Sequence, residues 1–504
     1  MSQKTGRMPK KPGWMVPARE KLSYFLGNGA NFTVHSFVST FLSVYLLMIG
    51  VSATTSATVL LILKAWDAVN DVLFGYLIDK VRFKPQKHRF LAWLFSGRFL
   101  PWYRIASLLL PLSAIILFTI NTQAPIWLRI MQYVIGYMLY DIAFTLASAP
   151  YGCMLTSLTS NAEERTFLQS YSVLGQGAGA LPVSFIGTAL IAGSFGYSGS
   201  AILFAGLGFL LALPNMLAVR ERNVAAPAEA SEKAYTLREM GRFLKKTPEF
   251  LYFELGQLVW GMFFTSGFML FLAFYIFGNA NISLIYMAMG VIPTIALIPF
   301  FPLLFRHVDK MVCIRIACAL YAVFSLAIFF IGPDGAKAAL GLHYAMYAVC
   351  GSTYAFTMIG SAMVLPDIAE VAKYRTNSDR IGIIFSIHAF VGKLVGSLVT
   401  SVSLLILGAY GYVSVTAGSF DELAALNAKG IGLQTSHALE GLWNVTFLFP
   451  AIGFALAAGF YSLVKINRKQ VAIMIRANVG EMPRAEAERL LGTGEGLNAP
   501  DPVM

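Results

Sequence analysis

Charged side chains are scarce in this 504-residue sequence, whereas apolar side chains dominate it. Asp, Glu, Lys and Arg together make up only 13% of the chain, and hydrophobic residues make up 57%. One soluble core cannot bury that much apolar surface, so a soluble class is excluded and a membrane protein is predicted.

Cysteine is equally sparse, and the four residues Cys153, Cys313, Cys318 and Cys350 lie in or beside apolar runs without paired spacing. This pattern predicts neither a disulfide framework nor a zinc site. The polar loops also lack a Ser/His/Asp set, a metal-binding cluster and a phosphate-binding glycine loop. We therefore expect neither an enzyme nor a bound cofactor, and a non-transporting membrane sensor is a remote alternative.

Twelve apolar runs, each long enough for a transmembrane helix, follow one another along the chain. A hydrocarbon core of ~30 Å is crossed by ~20 residues of α-helix. The sequence therefore predicts an all-α membrane protein. The predicted spans are residues 23–49, 54–79, 102–120, 126–152, 166–193, 199–219, 249–278, 282–305, 312–331, 339–364, 381–410 and 441–466.

The basic residues are sorted relative to these runs. Most of the 38 Lys and Arg residues lie in the two tails and in the connections that follow even-numbered runs. Because cytoplasmic loops are enriched in Lys and Arg, we predict an inner-membrane protein with both termini in the cytoplasm. The net charge of +12 is then a topology signal, and lipid rather than nucleic acid is the expected partner.

A long polar segment separates the first six runs from the last six. The predicted organisation is a tail (1–22), a six-helix bundle (23–219), a linker (220–248), a second six-helix bundle (249–466) and a second tail (467–504). YFLGN, which begins at Tyr24, resembles YFELGQ, which begins at Tyr252. Such a repeat indicates two bundles built on one plan.

Three charged residues lie inside the second apolar run. Lys64, Asp67 and Asp71 are spaced by three and four residues, so they share one face of a helix. Each would cost ~2.5–3.5 kcal/mol if it faced lipid, so we expect all three to face the bundle interior. Two carboxylates one turn apart can ligate Na⁺ or Li⁺, or share a proton. The alternative is a Lys64–Asp67 ion pair that only holds helices together, which leaves Asp71 unexplained.

Several motifs then carry a family resemblance. They are KLSYFLGNGAN at Lys21, KAWDAVNDVLFGYLID at Lys64, GRFLPW at Gly97, APYGCMLTSLTSNAEERT at Ala149 and FSIHAFVGKLVGS at Phe385. In this order they resemble the glycoside/pentoside/hexuronide:cation symporters of the major facilitator superfamily. The resemblance implies alternating-access symport of a sugar or glycoside, driven by Na⁺, Li⁺ or H⁺. It also implies a coupling-cation site at Asp67, Asn70, Asp71 and Thr145.

The sugar-binding positions of that family do not carry over. Its acidic residue in span one falls on Phe32, its acidic residue before the proline of span four falls on Ser148, and its nearby aromatic residue falls on Gly152. Its basic residue in span five falls on Val173. Carboxylates accept hydrogen bonds from sugar hydroxyls and aromatic rings stack on sugar rings. A lipid-like or other non-sugar solute is therefore the alternative substrate.

Two further intramembrane charges are candidates for the substrate or coupling site. Lys393 lies deep in the eleventh run, and the resemblance places it near the sugar and cation sites. We expect a carboxylate of the first half to be its partner. Asp141 lies four residues before Thr145 and shares its helix face. Asp141 is expected to extend the cation site, hold a proton or bind the solute, or else to pair with Lys393 or Lys64.

Charged residues at the cytoplasmic helix ends are predicted gating elements. They are Asp79 and Asp309, each followed by a lysine, together with Arg98, Arg165 and Arg380. Charge pairs at such places can close one side of a transporter and separate when its bundles rock. Ordinary topology anchors would have the same pattern.

Three remaining polar residues of the runs are given ordinary roles. Glu254, near the cytoplasmic end of span seven, is predicted to be exposed or to cap a helix. His35 and His388 are predicted to be hydrogen-bonded core residues. We expect a monomer with a small-molecule solute in a cavity between spans one, four, seven and eleven.

Overall fold

The computed structural model describes residues 14–81, 83, 87–159, 161–222, 241, 243–245, 247–263, 268–376 and 381–493. Within these residues the regular structure is helical, and the only β-type pairing is an isolated bridge between Ile49 and Thr416. The predicted all-α class is confirmed. Arg380 and the side chain of Asp79, two predicted gating elements, lie outside the described part.

The chain divides into two compact units. The first unit comprises Met1–Ala230 together with Ser414–Leu433, and the second comprises Ser231–Val413 and Gln434–Met504. The helices of the first unit are α1 (Ala18–Met48), α2 (Ala53–Lys80), α3 (Arg89–Leu94), α4 (Leu100–Phe118), α5 (Ile126–Leu158), α6 (Ala162–Pro182), α7 (Thr188–Ala192), α8 (Gly196–Ala218) and, from the 414–433 segment, α16 (Phe420–Ala428).

The second unit contains the remaining helices. They are α9 (Pro248–Phe263), α10 (Met269–Tyr275), α11 (Ile282–Leu297), α12 (Phe301–His307), α13 (Lys310–Ala338), α14 (Leu340–Thr376), α15 (Ile381–Ala409), α17 (Ser436–Trp443), α18 (Phe449–Leu463), α19 (Arg468–Asn478) and α20 (Arg484–Thr493). The last two pack on the end of α14 through Tyr374, Ile473 and Met482.

Nine described segments are long and apolar enough to cross a membrane, which makes the chain a multi-pass protein. They are Ala18–Met48, Leu100–Phe118, Ile126–Leu158, Glu163–Ala192, Gly196–Ala218, Lys310–Ala338, Leu340–Thr376, Ser386–Ala409 and Ser436–Leu463. Helix α2 is not among them, and it carries Lys64, Asp67 and Asp71 within its length. The count of twelve spans stays a prediction.

Both units use the same helix-packing plan. In the first unit α1 packs against α6 and α8, α4 against α5 and α8, and α2 against α5. In the second unit α9 packs against α15 and α18, α13 against α14 and α18, and α11 against α14. Small residues allow the closest approaches: a Cβ on Gly179 would lie 2.9 Å from the Cα of Gly29, and one on Gly351 would lie 3.1 Å from the Cα of Gly290.

The segment 414–433 is hydrogen-bonded within the first unit, although the predicted boundaries assign it to the C-terminal bundle. The backbone N–H of Ala417 donates to the carbonyl of Met48 at 2.8 Å, and that of Tyr197 donates to Gly418 at 3.0 Å. Arg129 donates to the hydroxyl of Thr416 at 2.8 Å. Backbone docking of this kind has no hydropathy signal. The predicted domain boundaries otherwise stay a prediction.

Candidate functional site at the interface of α2 and α5

The polar faces of two helices meet where α2 packs against α5. Helix α2 begins after Ser52, whose hydroxyl accepts a hydrogen bond from the backbone N–H of Thr55 at 3.2 Å. The predicted face of α2 presents its charges at intervals of three and four residues. Helix α5 has Tyr137, Asp141 and Thr145 at intervals of four residues. One side of each helix is therefore polar, although both helices are otherwise apolar.

Asp67 is held by two partners. The Lys64 Nζ lies 2.7 Å from Oδ2 of Asp67 and 2.7 Å from the hydroxyl of Tyr137. That hydroxyl also lies 3.0 and 2.9 Å from the two carboxylate oxygens of Asp67. The Lys64–Asp67 ion pair, which the sequence left as an alternative, is therefore present. It lies within one helix, and Tyr137 connects it to α5.

Asp71 lies in a separate cluster centred on Thr145. The amide nitrogen of Asn70 donates to the Thr145 hydroxyl at 3.2 Å, and this hydroxyl donates to Oδ1 of Asp71 at 3.2 Å. Asn70 is fully buried, and its amide oxygen has no hydrogen-bond partner in the described part of the chain. Three of the four predicted cation ligands thus converge, whereas Asp67 belongs to the neighbouring ion pair.

Asp141 adds a second unsatisfied oxygen. Its Oδ2 is buried and makes no hydrogen bond among the described residues. Asp67, Asp71 and Lys64 all act on it electrostatically. A buried acceptor without a partner costs about 1–3 kcal/mol, and more when it is charged. The position therefore favours a bound cation or proton beside Asp141.

The oxygen atoms of this cluster are of the kind that ligate hard cations. Carboxylate, hydroxyl and amide oxygens are ligands for hard cations, whereas transition metals prefer imidazole or thiolate. No group of three or more His, Cys, Asp or Glu residues able to hold a metal ion occurs in the described ranges. The donor set of Asn70, Asp71, Asp141 and Thr145 accordingly consists of hard-cation ligands.

An aromatic cluster lies beside this site and was missed by the sequence analysis. The ring of His35 stacks on Phe144 with centroids 4.0 Å apart, and its Nδ1 lies 2.6 Å from the Tyr140 hydroxyl. Phe32 packs edge-on against His35 at 5.3 Å. The spacing of Tyr137, Tyr140 and Phe144 around Asp141 was the available signal. His35 is hydrogen-bonded, in keeping with its predicted role.

Two other predicted substrate residues lie on the same helix, α5. Ser148 is half-buried, and Gly152 is exposed. A Cβ at Gly152 would meet no heavy atom within 4 Å, so space is open where the resembled family has an aromatic ring. Neither residue contributes a hydrogen bond to the Thr145 cluster in the contacts described.

The prediction for Glu254 is wrong. Its side chain is only 4% exposed, and its Oε1 lies 2.9 Å from Nδ1 of His388. Glu254 is buried because α9 packs against α15 and α18 at this turn of the helix. His388 also borders a cavity of about 390 Å³ in the second unit, together with Gln257, Trp260 and Tyr354.

The described gating candidates contact groups of their own unit. The backbone N–H of Arg468 donates to Asp309 at 2.9 Å, and Arg165 donates to the carbonyl of Thr159 at 2.8 Å. The backbone N–H of Arg98 donates to the carboxylate of Glu221 at 2.5 Å. Their gating role stays a prediction.

Lys393 lies on an exposed face of α15 in the second unit. The predicted partnership with a carboxylate of the first half stays a prediction.

Comparison with known proteins agrees with this architecture. The family model described as MFS/sugar transport protein matches residues 23–468. The "Uncharacterized symporter YnaJ" of Bacillus subtilis is 24% identical, over 91% of this chain and 94% of its own length. The isoprimeverose transporter of Lactiplantibacillus pentosus is 23% identical, over 94% and 95%.

A solved structure shows the same fold. The nucleoside transporter NupG superposes with a TM-score of 0.59 at 14% identity, covering 89% of this chain and 100% of that chain. These similar proteins are membrane transporters rather than enzymes. The chain is therefore a multi-pass membrane transporter of a small molecule, and it belongs to the MFS/sugar transport protein family.

Proposed function

We propose that the protein is a cation-coupled symporter in which Asp71, Thr145, Asn70 and Asp141 bind Na⁺ or Li⁺. The observation that carries the proposal is the pair of unsatisfied buried oxygens, on Asn70 and Asp141, beside the Thr145 cluster. Hydroxyl and amide oxygens ligate an alkali cation but do not take up a proton at neutral pH, so this donor set favours a metal cation. Lys64 already neutralises Asp67 and leaves Asp71 as the main anionic ligand.

The proposed solute is a sugar or glycoside. The isoprimeverose transporter among the relatives supports this class. The aromatic cluster supports it too, because the stacked rings of His35 and Phe144 lie beside the phenols of Tyr137 and Tyr140. Rings provide a platform for a sugar face, and phenols and carboxylates bind hydroxyl groups. An amphipathic solute is the second candidate, favoured by Phe32 at the place of the family's acidic residue.

Coupling follows from linkage in an alternating-access cycle. If cation and solute stabilise the same occluded state, each raises the affinity for the other by the same factor. Helix α5 connects the two proposed binding sites. Its Thr145 is hydrogen-bonded to Asp71 of the cation site, and the adjacent Phe144 stacks on His35 of the aromatic cluster.

A test of the cation site needs no knowledge of the solute. Na⁺ added to the purified protein in detergent is expected to raise Tm, because a ligand that binds only the folded state stabilises it. Asp71→Asn is expected to remove this effect. Asp334→Asn, which alters a fully exposed carboxylate, is the matched control and keeps it. Full Na⁺ stabilisation in Asp71→Asn would refute the assignment.

Transport is measured next, in proteoliposomes with an inward Na⁺ gradient and a panel of labelled glycosides and lysolipids. Accumulation of a glycoside is expected, and Asp71→Asn is expected to reduce its Na⁺ dependence by roughly 5–150-fold, the usual range of coupling. Uptake of lysolipids and of no glycoside would establish the second candidate instead.

A further inference from the structure

Glu254 and His388 form a half-buried acid–base pair that the cation site does not use. The Nδ1 of His388 lies 2.9 Å from Oε1 of Glu254. The other carboxylate oxygen, Oε2, is buried and accepts no hydrogen bond within the described ranges. The His388 side chain is 32% exposed, against 4% for Glu254, so the imidazole is the more accessible member of the pair.

The imidazole opens toward the cavity of the second unit. His388, Gln257 and Trp260 line that cavity together with Tyr354. Two of the polar residues that line the cavity are hydrogen-bonded to each other: the indole N–H of Trp260 donates to Oε1 of Gln257 at 2.7 Å. The cavity of about 390 Å³ is large enough for a small organic solute. A molecule bound there would lie against His388 and separate it from water.

Two phenols of the described residues lie near the pair. From α18, Tyr461 acts on Glu254, but its hydroxyl lies with Gln257 at 3.3 Å and Trp260 at 3.2 Å. From α14, Tyr354 lines the cavity as a neutral phenol. Lys393 follows His388 by five residues on α15, a rotation of roughly 140° that places it on a different face. His388 is the basic side chain that contacts the carboxylate of Glu254 in the structure.

The charge balance of the pair depends on one proton. With a neutral imidazole the pair has a net charge of −1 in a poorly hydrated place, and with an imidazolium it is a neutral ion pair. The added proton comes from solvent and bonds to the free imidazole nitrogen, so that both nitrogens donate. A solute that displaces water from the cavity makes the net negative state more costly and so favours proton uptake.

We propose that Glu254 and His388 form a proton-binding site of the second unit, and that solute occupation of the adjoining cavity is linked to its protonation. The site is separate from the Na⁺ site at Asp71, and it makes the proton a second coupling ion. Its protonation is reciprocal with solute binding: the solute promotes proton uptake, and acidification promotes solute binding by the same factor.

The first experiment is a fluorescence titration of the purified protein. A protonated imidazole quenches nearby indole emission, so the signal of Trp260, obtained as wild type minus Trp260→Phe, reports on His388. We expect this signal to change with pH as the imidazole gains or loses its proton. Loss or displacement of this transition is expected in Glu254→Gln and in His388→Asn. Superimposable titrations of wild type and both variants would overturn the proposal.

A matched control is present in the same unit. His437 and Glu440 form an exposed pair at 3.6 Å, with side chains 64% and 67% exposed. Glu440→Gln and His437→Asn are expected to leave the Trp260 titration unchanged. Retained Na⁺ stabilisation in Glu254→Gln shows that this variant is folded, and it separates a failure here from a failure of the Asp71 site.

The second experiment tests the linkage. Nitrophenyl glycosides are added to the protein in weakly buffered solution, and proton uptake is followed with a pH indicator. Wild type and Glu440→Gln are expected to take up protons with any glycoside that raises Tm, whereas Glu254→Gln and His388→Asn take up none. A glycoside that raises Tm in wild type without proton uptake, or with equal uptake in Glu254→Gln, overturns the linkage.

Discussion

The two units share a packing plan but differ in where charged and ionisable groups lie along their repeated interfaces. In the first unit the second and fourth long helices, α2 and α5, enclose the charged cluster around Asp71. The corresponding helix of the second unit, α11, contains no charged residue. In the second unit an ionisable pair lies instead between α9 and α15, at Glu254 and His388.

The matching interface of the first unit, between α1 and α6, has an ion pair near the start of both helices, where the Lys21 Nζ lies 2.8 Å from Oε1 of Glu164, and neutral groups at the following turns. Asn28 donates to the hydroxyl of Ser172 at 2.9 Å, and the ring of Phe25 lies 4.8 Å from that of Tyr171. Gly27 and Gly256 align the two units, because each lies at a close helix contact. A Cβ on either glycine would collide with the last long helix of its own unit. This alignment places Phe25 where the second unit has Glu254.

The difference teaches that the scaffold and the chemistry are separable. Small residues at close helix contacts define the repeated bundle, and polar residues can then be placed at one interface or another without changing the packing plan. Three perturbations would break or sharpen this comparison.

The largest effect is expected from filling the shared glycine contacts. Gly179→Val and Gly351→Val each force a side chain against the backbone of a neighbouring helix, and each is expected to lower the free energy of unfolding by about 3 kcal/mol. Thermal unfolding monitored by size-exclusion fluorescence measures this. Gly206→Val and Gly459→Val, where a Cβ meets nothing within 4 Å, are the controls. If Gly179→Val were destabilised and Gly351→Val were not, the shared packing plan would be contradicted.

A smaller effect is expected from unpairing the charges of the first unit. Lys64→Met leaves Asp67 with the Tyr137 hydroxyl as its partner in the contacts described, and is expected to cost about 1–2 kcal/mol, because a half-buried carboxylate loses its cation. The double variant Lys64→Met with Asp67→Asn is expected to recover most of this loss in the same unfolding assay. If the double variant were as unstable as the sum of the single variants, the ion pair would have no structural role.

The smallest effect is expected at the docked segment 414–433. Thr416→Val removes one acceptor of Arg129, which keeps the carbonyls of Ile49 and Ala124, so a loss of about 0.5 kcal/mol is expected. Limited proteolysis of the segment should accelerate modestly. Thr54→Val, at an exposed position of α2, serves as the control. An unchanged cleavage rate would show that the Arg129 contact does not hold the segment.

Much of the candidate site was predictable because helical spacing is a local property. The intervals between Lys64, Asp67 and Asp71 already predicted one polar face, and the spacing of Asp141 and Thr145 predicted another. The partition of Asp67 and Asp71 into two clusters was not predictable. It depends on which carboxylate the Tyr137 hydroxyl reaches when α2 packs against α5, and the relative position of the two helices sets this.

The sequence by itself determined a membrane-embedded, all-helical chain with an internal repeat, because hydropathy, charge distribution and residue spacing act along the chain. Only the tertiary structure decided that Glu254 is buried against His388, that segment 414–433 belongs to the first unit, and that Asn70 and Asp141 have unsatisfied oxygens around Thr145. These features arise from contacts between residues far apart in the chain, and their geometry is set by helix packing rather than by any local pattern.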